Sequence, residues 1–153
     1  MRLVMGVSSD VYVSRGPDDR MEWLKGDDKL AFRLLTVAGS GVCGASARTL
    51  DLMPAHLEGR RLVRITRSNF CLEAFVQRHG PDCTLLGGQT LALYALEQNL
   101  VRSVHVCRSR SVQLGSGQRD ELSSVLASSW YKDASFEVGS VDVETWRQGA
   151  FLW

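Results

Sequence analysis

The sequence predicts a single α/β domain, and three observations lead there. The chain has 153 residues, which suits one domain with one core. Short apolar runs bounded by glycine and proline alternate with stretches of helical period, the pattern of a sheet with crossover helices. The stretch 134–153 reads as a strand pair that closes the sheet.

In order, residues 2–8 (RLVMGVS) read as a buried first strand, and 9–22 as a long polar loop holding the turn signal Gly16-Pro17-Asp18-Asp19. Residues 27–37 read as a helix, capped by Asp27 or Asp28, with Leu30, Leu34 and Leu35 as its apolar stripe and Phe32 beside it. A short strand at 41–44 leads to a helical turn near 46–53 that stops at Pro54. Leu57-Glu58-Gly59-Arg60 turns into a strand at 61–66, and Asn69 can cap a helix over 70–79 that ends at Gly80-Pro81. Cys83–Leu86 is a buried strand running into Gly87-Gly88 and a helix at 90–98. Residues 101–107 alternate as a strand, and within 115–129 a Gly-Ser loop precedes an amphipathic helix with Leu122, Val125 and Leu126 inward.

Hydrophobic residues at 44% and charged residues at 23% place the chain among globular proteins rather than disordered ones. A net charge of +1 gives no global field toward nucleic acid or membrane, so any anion site is local. No apolar run approaches the roughly 18 residues a membrane span requires, and MRLVMGVSSDVYV reads as a strand rather than a signal peptide. The four cysteines form no CxxC pair and are expected as buried thiols in a cytoplasmic protein; the three histidines show no metal-ligand spacing, so no metal is expected.

Three constellations bear on chemistry. Gly39-Ser40-Gly41-Val42-Cys43-Gly44 matches GxGxxG, but a helix precedes it and a strand runs through it, so it reads as a helix stop and a close backbone approach rather than a dinucleotide fingerprint. Leu85-Leu86-Gly87-Gly88-Gln89-Thr90 is a strand broken by two glycines at a helix start, where bare backbone N–H groups can receive phosphate; the alternative is a plain strand-to-helix turn. In Met21–Phe32, Trp23, Asp28 and Phe32 set an acid beside two aromatics. Partial desolvation would raise its pKa and suit it to grip an amidine-like ring edge, while helix logic alone favours a cap.

The order SSDVYVS, MEWLKGDDKLAF, VCG, LEGRRLVRIT, LLGGQTLA resembles the dihydrofolate reductase superfamily over about residues 2–108. The resemblance implies a three-layer domain: a central, mostly parallel sheet flanked by helices, with a C-terminal antiparallel strand pair. It implies that Asp28 and Trp23 are catalytic, and that Met5, Val7, Phe32, Arg60 and Val106 line the substrate, with Val106 or Cys107 standing where the family has a threonine. It implies NADPH held by Gly44, Ser46, Arg48, Thr49, Thr66, Arg67, Ser68, Gly87, Gly88, Gln89, Thr90 and Leu91, with a cis peptide joining Gly87 to Gly88 and Arg67 at the 2′-phosphate. The family's Gly-Arg-x-Thr is here Gly44-Ala45-Ser46-Ala47-Arg48-Thr49, and Ser111–Gly117 looks like the loop of riboflavin-biosynthesis relatives.

The expected activity is reduction of dihydrofolate. One alternative is a riboflavin-type reduction of an aminopyrimidine or other small heterocycle; another is a reductase-like fold kept for binding or structure. The expected partners are a small-molecule substrate and at most a second copy of the chain.

Overall fold

A computed structural model describes residues 1–66 and 72–149. Arg67, Ser68, the Asn69 cap, Cys71 and the aromatic chain end lie outside the described residues.

Seven strands form one sheet in the order β4-β3-β5-β1-β6-β9-β8. Strand β1 (Arg2–Val7) lies between β5 (Thr84–Leu86) and β6 (Ser103–Ser109), parallel to both. Strand β3 (Val42–Ser46) pairs in parallel with β5 and with β4 (Arg61–Ile65). Strand β9 (Val141–Gln148) runs antiparallel to β6, and β8 (Trp130–Val138) antiparallel to β9. The C-terminal pair therefore starts at Trp130, earlier than the alternation at 134 suggests. Within the loop expected at 9–22, a short strand β2 (Tyr12–Ser14) pairs with β7 (Gln118–Arg119).

Helix α1 (Gly26–Val37) and the short α2 (Ala47–Asp51) cover one face of the sheet, where Val4, Ala31, Leu35, Cys43, Ala45, Leu86, Cys107 and Val143 are buried together. Helices α3 (Leu72–His79), α4 (Gln89–Glu97) and α5 (Leu122–Ser129) cover the other, over Leu3, Met5, Val7, Leu85, Val104 and Val106. The division follows from strand alternation: odd residues of β1 point one way and even residues the other. In α5, Leu122 and Leu126 are fully buried and Val125 half-buried.

The apolar stripe of α1 is not the expected one. Leu30 and Leu34 are 49% and 52% exposed, whereas Ala31, Leu35 and Thr36 are buried and Asp28 and Phe32 half-buried. The helix turns its 28–31–32–35 face to the sheet, where Ala31 permits a close approach that a third leucine would obstruct. Its cap also differs. Lys25 takes the N-cap position, and Asp28, at the third helical position, accepts the Lys25 N–H at 3.2 Å. Asp27 instead accepts from the Ser140 N–H at 2.9 Å and its hydroxyl at 3.1 Å, fastening α1 to the β8–β9 turn.

Cys43, Cys83 and Cys107 are buried free thiols. Among the described residues no helix is long and apolar enough to cross a membrane, and no cluster of histidine, cysteine or carboxylate side chains could hold a metal ion.

Candidate active site

In a parallel α/β sheet, ligands settle beyond the carboxyl ends of the strands, where crossovers leave a central strand in opposite directions. Strand β1 is such a strand. Its crossover through α1 skips β5 to reach β3, while the crossover from β5 through α4 skips β1 to reach β6. The carboxyl end of β1 is thus flanked by the Gly87-Gly88 turn after β5 and by the end of β6. With strands about 4.8 Å apart, the two flanks are separated by roughly 10 Å.

On the β6 side stands Asp28. Burial raises its pKa, working against the hydrogen bond from the Lys25 N–H and with the charge of Asp27. Asp27, one residue away, is shifted down by its two hydrogen bonds from Ser140. Adjacent acids are pushed in opposite directions: hydrogen bonds hold Asp27 ionised as an anchor, while burial makes Asp28 easier to protonate than an ordinary carboxylate. Cys107 lies within electrostatic reach of Asp28. Burial, then the Asp28 charge, pushes its thiol up to about 12, so it stays protonated. Leu24, one turn before Asp28, covers Gly6, which is in register with Cys107.

Trp23 is 5% exposed and donates from its ring N–H to Asp19 at 3.0 Å. Burial opposes ionisation of Asp19, but hydrogen bonds from the Arg15 N–H, the Met21 N–H and Trp23 outweigh it and hold its pKa down. Asp19 therefore organises the loop around Trp23, a role the sequence reading missed. Its position four residues before a tryptophan, just after Gly-Pro-Asp, was the available signal.

On the β5 side, Gly87 is packed: a Cβ there would stand 3.1 Å from Met5 Cγ and 3.6 Å from Ala92. Gly88 is open, with nothing within 4 Å of where a Cβ would be, and it is the extended N-cap of α4. The exposed Gly88 and Thr90 thus surround a helix N-terminus that can take an anion. Leu91 is half-buried and packs on the core beneath. The peptide bonds of the described residues are all trans, Gly87–Gly88 included, which corrects the expected cis bond.

Several expected contacts are used otherwise. Gln89, 4% exposed, donates to the Arg119 carbonyl at 2.8 Å and accepts from the Glu121 N–H at 2.7 Å, tying α4 to the segment before α5. Gly44 gives room to a neighbour: a Cβ would lie 2.6 Å from Ile65 and 2.8 Å from the Phe75 ring. Ser46 caps α2, accepting the Thr49 N–H at 3.4 Å, with the two hydroxyls 3.2 Å apart. Arg48 is exposed and donates to the Gly16 carbonyl at 3.2 Å and to that of Pro17. Thr66 is half-buried just past β4, and the proposed 2′-phosphate contacts that follow it are among the residues not described.

The substrate set divides. Phe32 shares the Asp28 face of α1, and the Arg60 guanidinium lies 5.9 Å from its ring, donating to Thr36 Oγ1 at 3.2 Å and to the Glu58 carbonyl at 3.1 Å. Met5, Val7 and Val106 are buried on the opposite face of the sheet, against α4 and α5. Their side chains therefore do not meet a ligand gripped by Asp28; on β6 the residue facing that acid is Cys107, one position on. A cavity of about 410 Å³ is lined by Arg15–Arg20 and Glu22 of the loop itself and does not include Asp28 or Gly88.

No family model matches the chain, and no curated protein matches it. Among solved structures it is similar to a provisionally named riboflavin biosynthesis protein from Shewanella sp. PV-4, with a TM-score of 0.59 and 15% identity, over 97% of this chain and 98% of that one. This likeness shows the fold, a dihydrofolate reductase-like α/β domain with a mostly parallel sheet and a C-terminal antiparallel pair.

Proposed function

We propose that the chain is an NADPH-dependent reductase of a flat nitrogen heterocycle. One observation carries the reading: a half-buried carboxyl, raised in pKa by that burial, stands at the carboxyl edge of the sheet across β1 from an open glycine corner that begins a helix. Gly88, Thr90 and the backbone N–H groups at the start of α4 fit a phosphate of the nucleotide. NADPH, when bound, supplies the hydride; the rest of the chemistry belongs to the chain. Protonated Asp28 gives its proton to the heteroatom of the C=N or C=O bond whose carbon takes the hydride, so that the double bond becomes CH–NH or CH–OH. Phe32 and Leu24 would hold the ring plane, and the pinned loop around Trp23 would exclude water.

Within this class, an aminopyrimidine ribosyl phosphate is the favoured substrate. The Shewanella protein's name points toward that branch. Three features weaken the fit to folate: Arg60 is engaged by Thr36 and Glu58, Cys107 replaces the expected hydroxyl, and Met5, Val7 and Val106 turn away. Dihydrofolate is the second reading, favoured by the Trp23–Asp28–Phe32 spacing.

The test is NADPH oxidation followed by absorbance, with each substrate in turn. Turnover of the aminopyrimidine that collapses in Asp28→Asn supports the proposal. Turnover of dihydrofolate alone supports the second reading. Turnover of neither, with NADPH failing to raise the melting temperature, rejects both.

A further inference from the structure

The end of the sheet opposite Asp28 and Gly88 carries a second concavity that the proposed reaction does not use. About 300 Å³ in volume, it lies where β1 and β6 begin and α1 ends. Its walls carry three guanidinium groups, from Arg2, Arg102 and Arg147, and one carboxylate, Asp82. Arg2 leads β1, and Arg147 of β9 is paired in register with Ser103 of β6, so the strands themselves fix two of the three cations.

Each arginine is anchored by part of its fork only. Arg2 uses Nη1, donating to the Ala38 carbonyl at 2.9 Å and to Thr84 Oγ1 at 3.1 Å; this also neutralises the negative end of α1. Arg102 meets Asp82 at 3.5 Å, and Arg147 meets Asp133 through Nε at 2.8 Å, both in half-exposed pairs. With Asp133 included, three cations face two carboxylates, and a guanidinium has five N–H groups to offer. Gly39 shapes the wall: a Cβ there would lie 2.7 Å from the Asp82 carbonyl oxygen and 3.2 Å from Arg2 Nη1. The floor is polar and buried, with His105 Nε2 3.3 Å from Ser103 Oγ and Nδ1 3.0 Å from Thr145 Oγ1.

We propose that this cavity is an anion site, built to take a phosphate group between Arg2, Arg102 and Arg147. A tetrahedral dianion suits several guanidinium forks converging from different strands better than a planar monocarboxylate does. The ligand is inorganic phosphate or the phosphate of a small metabolite. The site is independent of the reductase reading, because no residue of one belongs to the other.

His105 reports on the site. Burial, then the charges of Arg2 and Arg147, hold its pKa down to about 4, and it is neutral at physiological pH. A dianion between those arginines offsets their charge and moves the titration of the ring upward. The experiment is an NMR titration of the intact chain with inorganic phosphate, pyrophosphate and acetate at constant ionic strength, reading the His105 ring and the Ser103 amide. Saturable shifts with phosphate but not acetate, a raised His105 titration, and at least ten-fold weaker binding in Arg147→Gln are expected. Asp82→Asn, which removes the competing carboxylate, is expected to tighten binding about three-fold, a gain that a damaged fold would not produce. Non-saturable shifts, equal shifts with acetate, or unchanged affinity in both variants would overturn the proposal. Saturation by phosphate but not pyrophosphate indicates a single terminal phosphate; saturation by both leaves room for a diphosphate.

Discussion

Gln89 separates a structural from a nucleotide-binding role most cleanly, because the two make opposite demands on one side chain. Replacing it by methionine keeps its bulk and removes both polar atoms. The Arg119 carbonyl and the Glu121 N–H then lose their partners at 2.8 and 2.7 Å, in a place where the side chain itself is 4% exposed. Each lost bond is worth about 1 kcal/mol and each stranded backbone group adds up to ~1–3 kcal/mol, reduced here because both groups are only partly buried. A total loss of about 3 kcal/mol follows, which for a domain of this size lowers Tm by roughly 6–12 °C. Thermal denaturation followed by circular dichroism measures the first quantity, and calorimetric titration with NADPH the second. The latch predicts a large fall in Tm with affinity changed by less than about two-fold, under ~0.5 kcal/mol. A stable protein whose NADPH affinity falls about ten-fold, ~1.4 kcal/mol, would refute the latch and show that Gln89 serves the diphosphate instead.

Other perturbations test other parts of the site. In Asp28→Asn, kcat is expected to fall about 100-fold or more while Tm holds or rises, because the carboxylate's burial cost disappears with the charge. In the wild type, kcat should decline as pH rises through the raised Asp28 pKa, and a pH–rate profile without that limb in the wild type would count against Asp28 as the acid. Gly44→Ala should cost about 1–3 kcal/mol through its overlap with Ile65 and Phe75, read by urea denaturation, and adding Phe75→Leu should restore part of it. Asp10 accepts from the Ser8 hydroxyl at 2.6 Å and from the Leu114 and Gly115 N–H groups at 3.0 and 2.7 Å, which hold its pKa down to about 2. Its contribution is complete above the unfolded value near ~3.9 and is lost as pH falls from there through about 2, so the Leu114 and Gly115 amides should lose exchange protection over that window, as they should at neutral pH in Asp10→Asn.

The strands and helices were legible because their signals are local: alternation in Arg2–Val7, glycine stops after α1 and β5, and the 122–126 spacing of α5. The carboxylate at Asp28 and the corner at Gly88 were legible for the same reason. What failed depends on neighbours distant in sequence. Leu30 and Leu34 match a helical stripe as well as Ala31 and Leu35 do, and only the approach of α1 to the sheet selects between them. Val106 and Cys107 differ by one position, which in a strand means opposite faces, so a resemblance that cannot fix the register cannot choose between them. Gln89 looked like a ligand contact because its partners, thirty or more residues away, lie in a segment whose pairing with β2 no short-range pattern announces.

Arg48 links the 9–22 loop to the side of the sheet where α2 begins. Its guanidinium donates to the carbonyls of Gly16 and Pro17 and so fastens the 9–22 loop to the start of α2. The loop is also held by Asp19 within itself, by Asp10 on the 114–115 backbone, by Ser9 on the Val112 carbonyl, and by β2 on β7. The Arg48 clasp sets a cation on neutral carbonyls, and a phosphate, charged and able to accept two parallel N–H bonds, is the stronger partner for a guanidinium. In the proposed reductase, a nucleotide phosphate near α2 would draw Arg48 away from the loop, whereas the Asp10 and Asp19 contacts, anion to backbone, would be untouched. The loop would then loosen at Gly16-Pro17 and stay fixed at both ends, so that nucleotide binding and access to the Asp28 side of the cleft become one equilibrium rather than two.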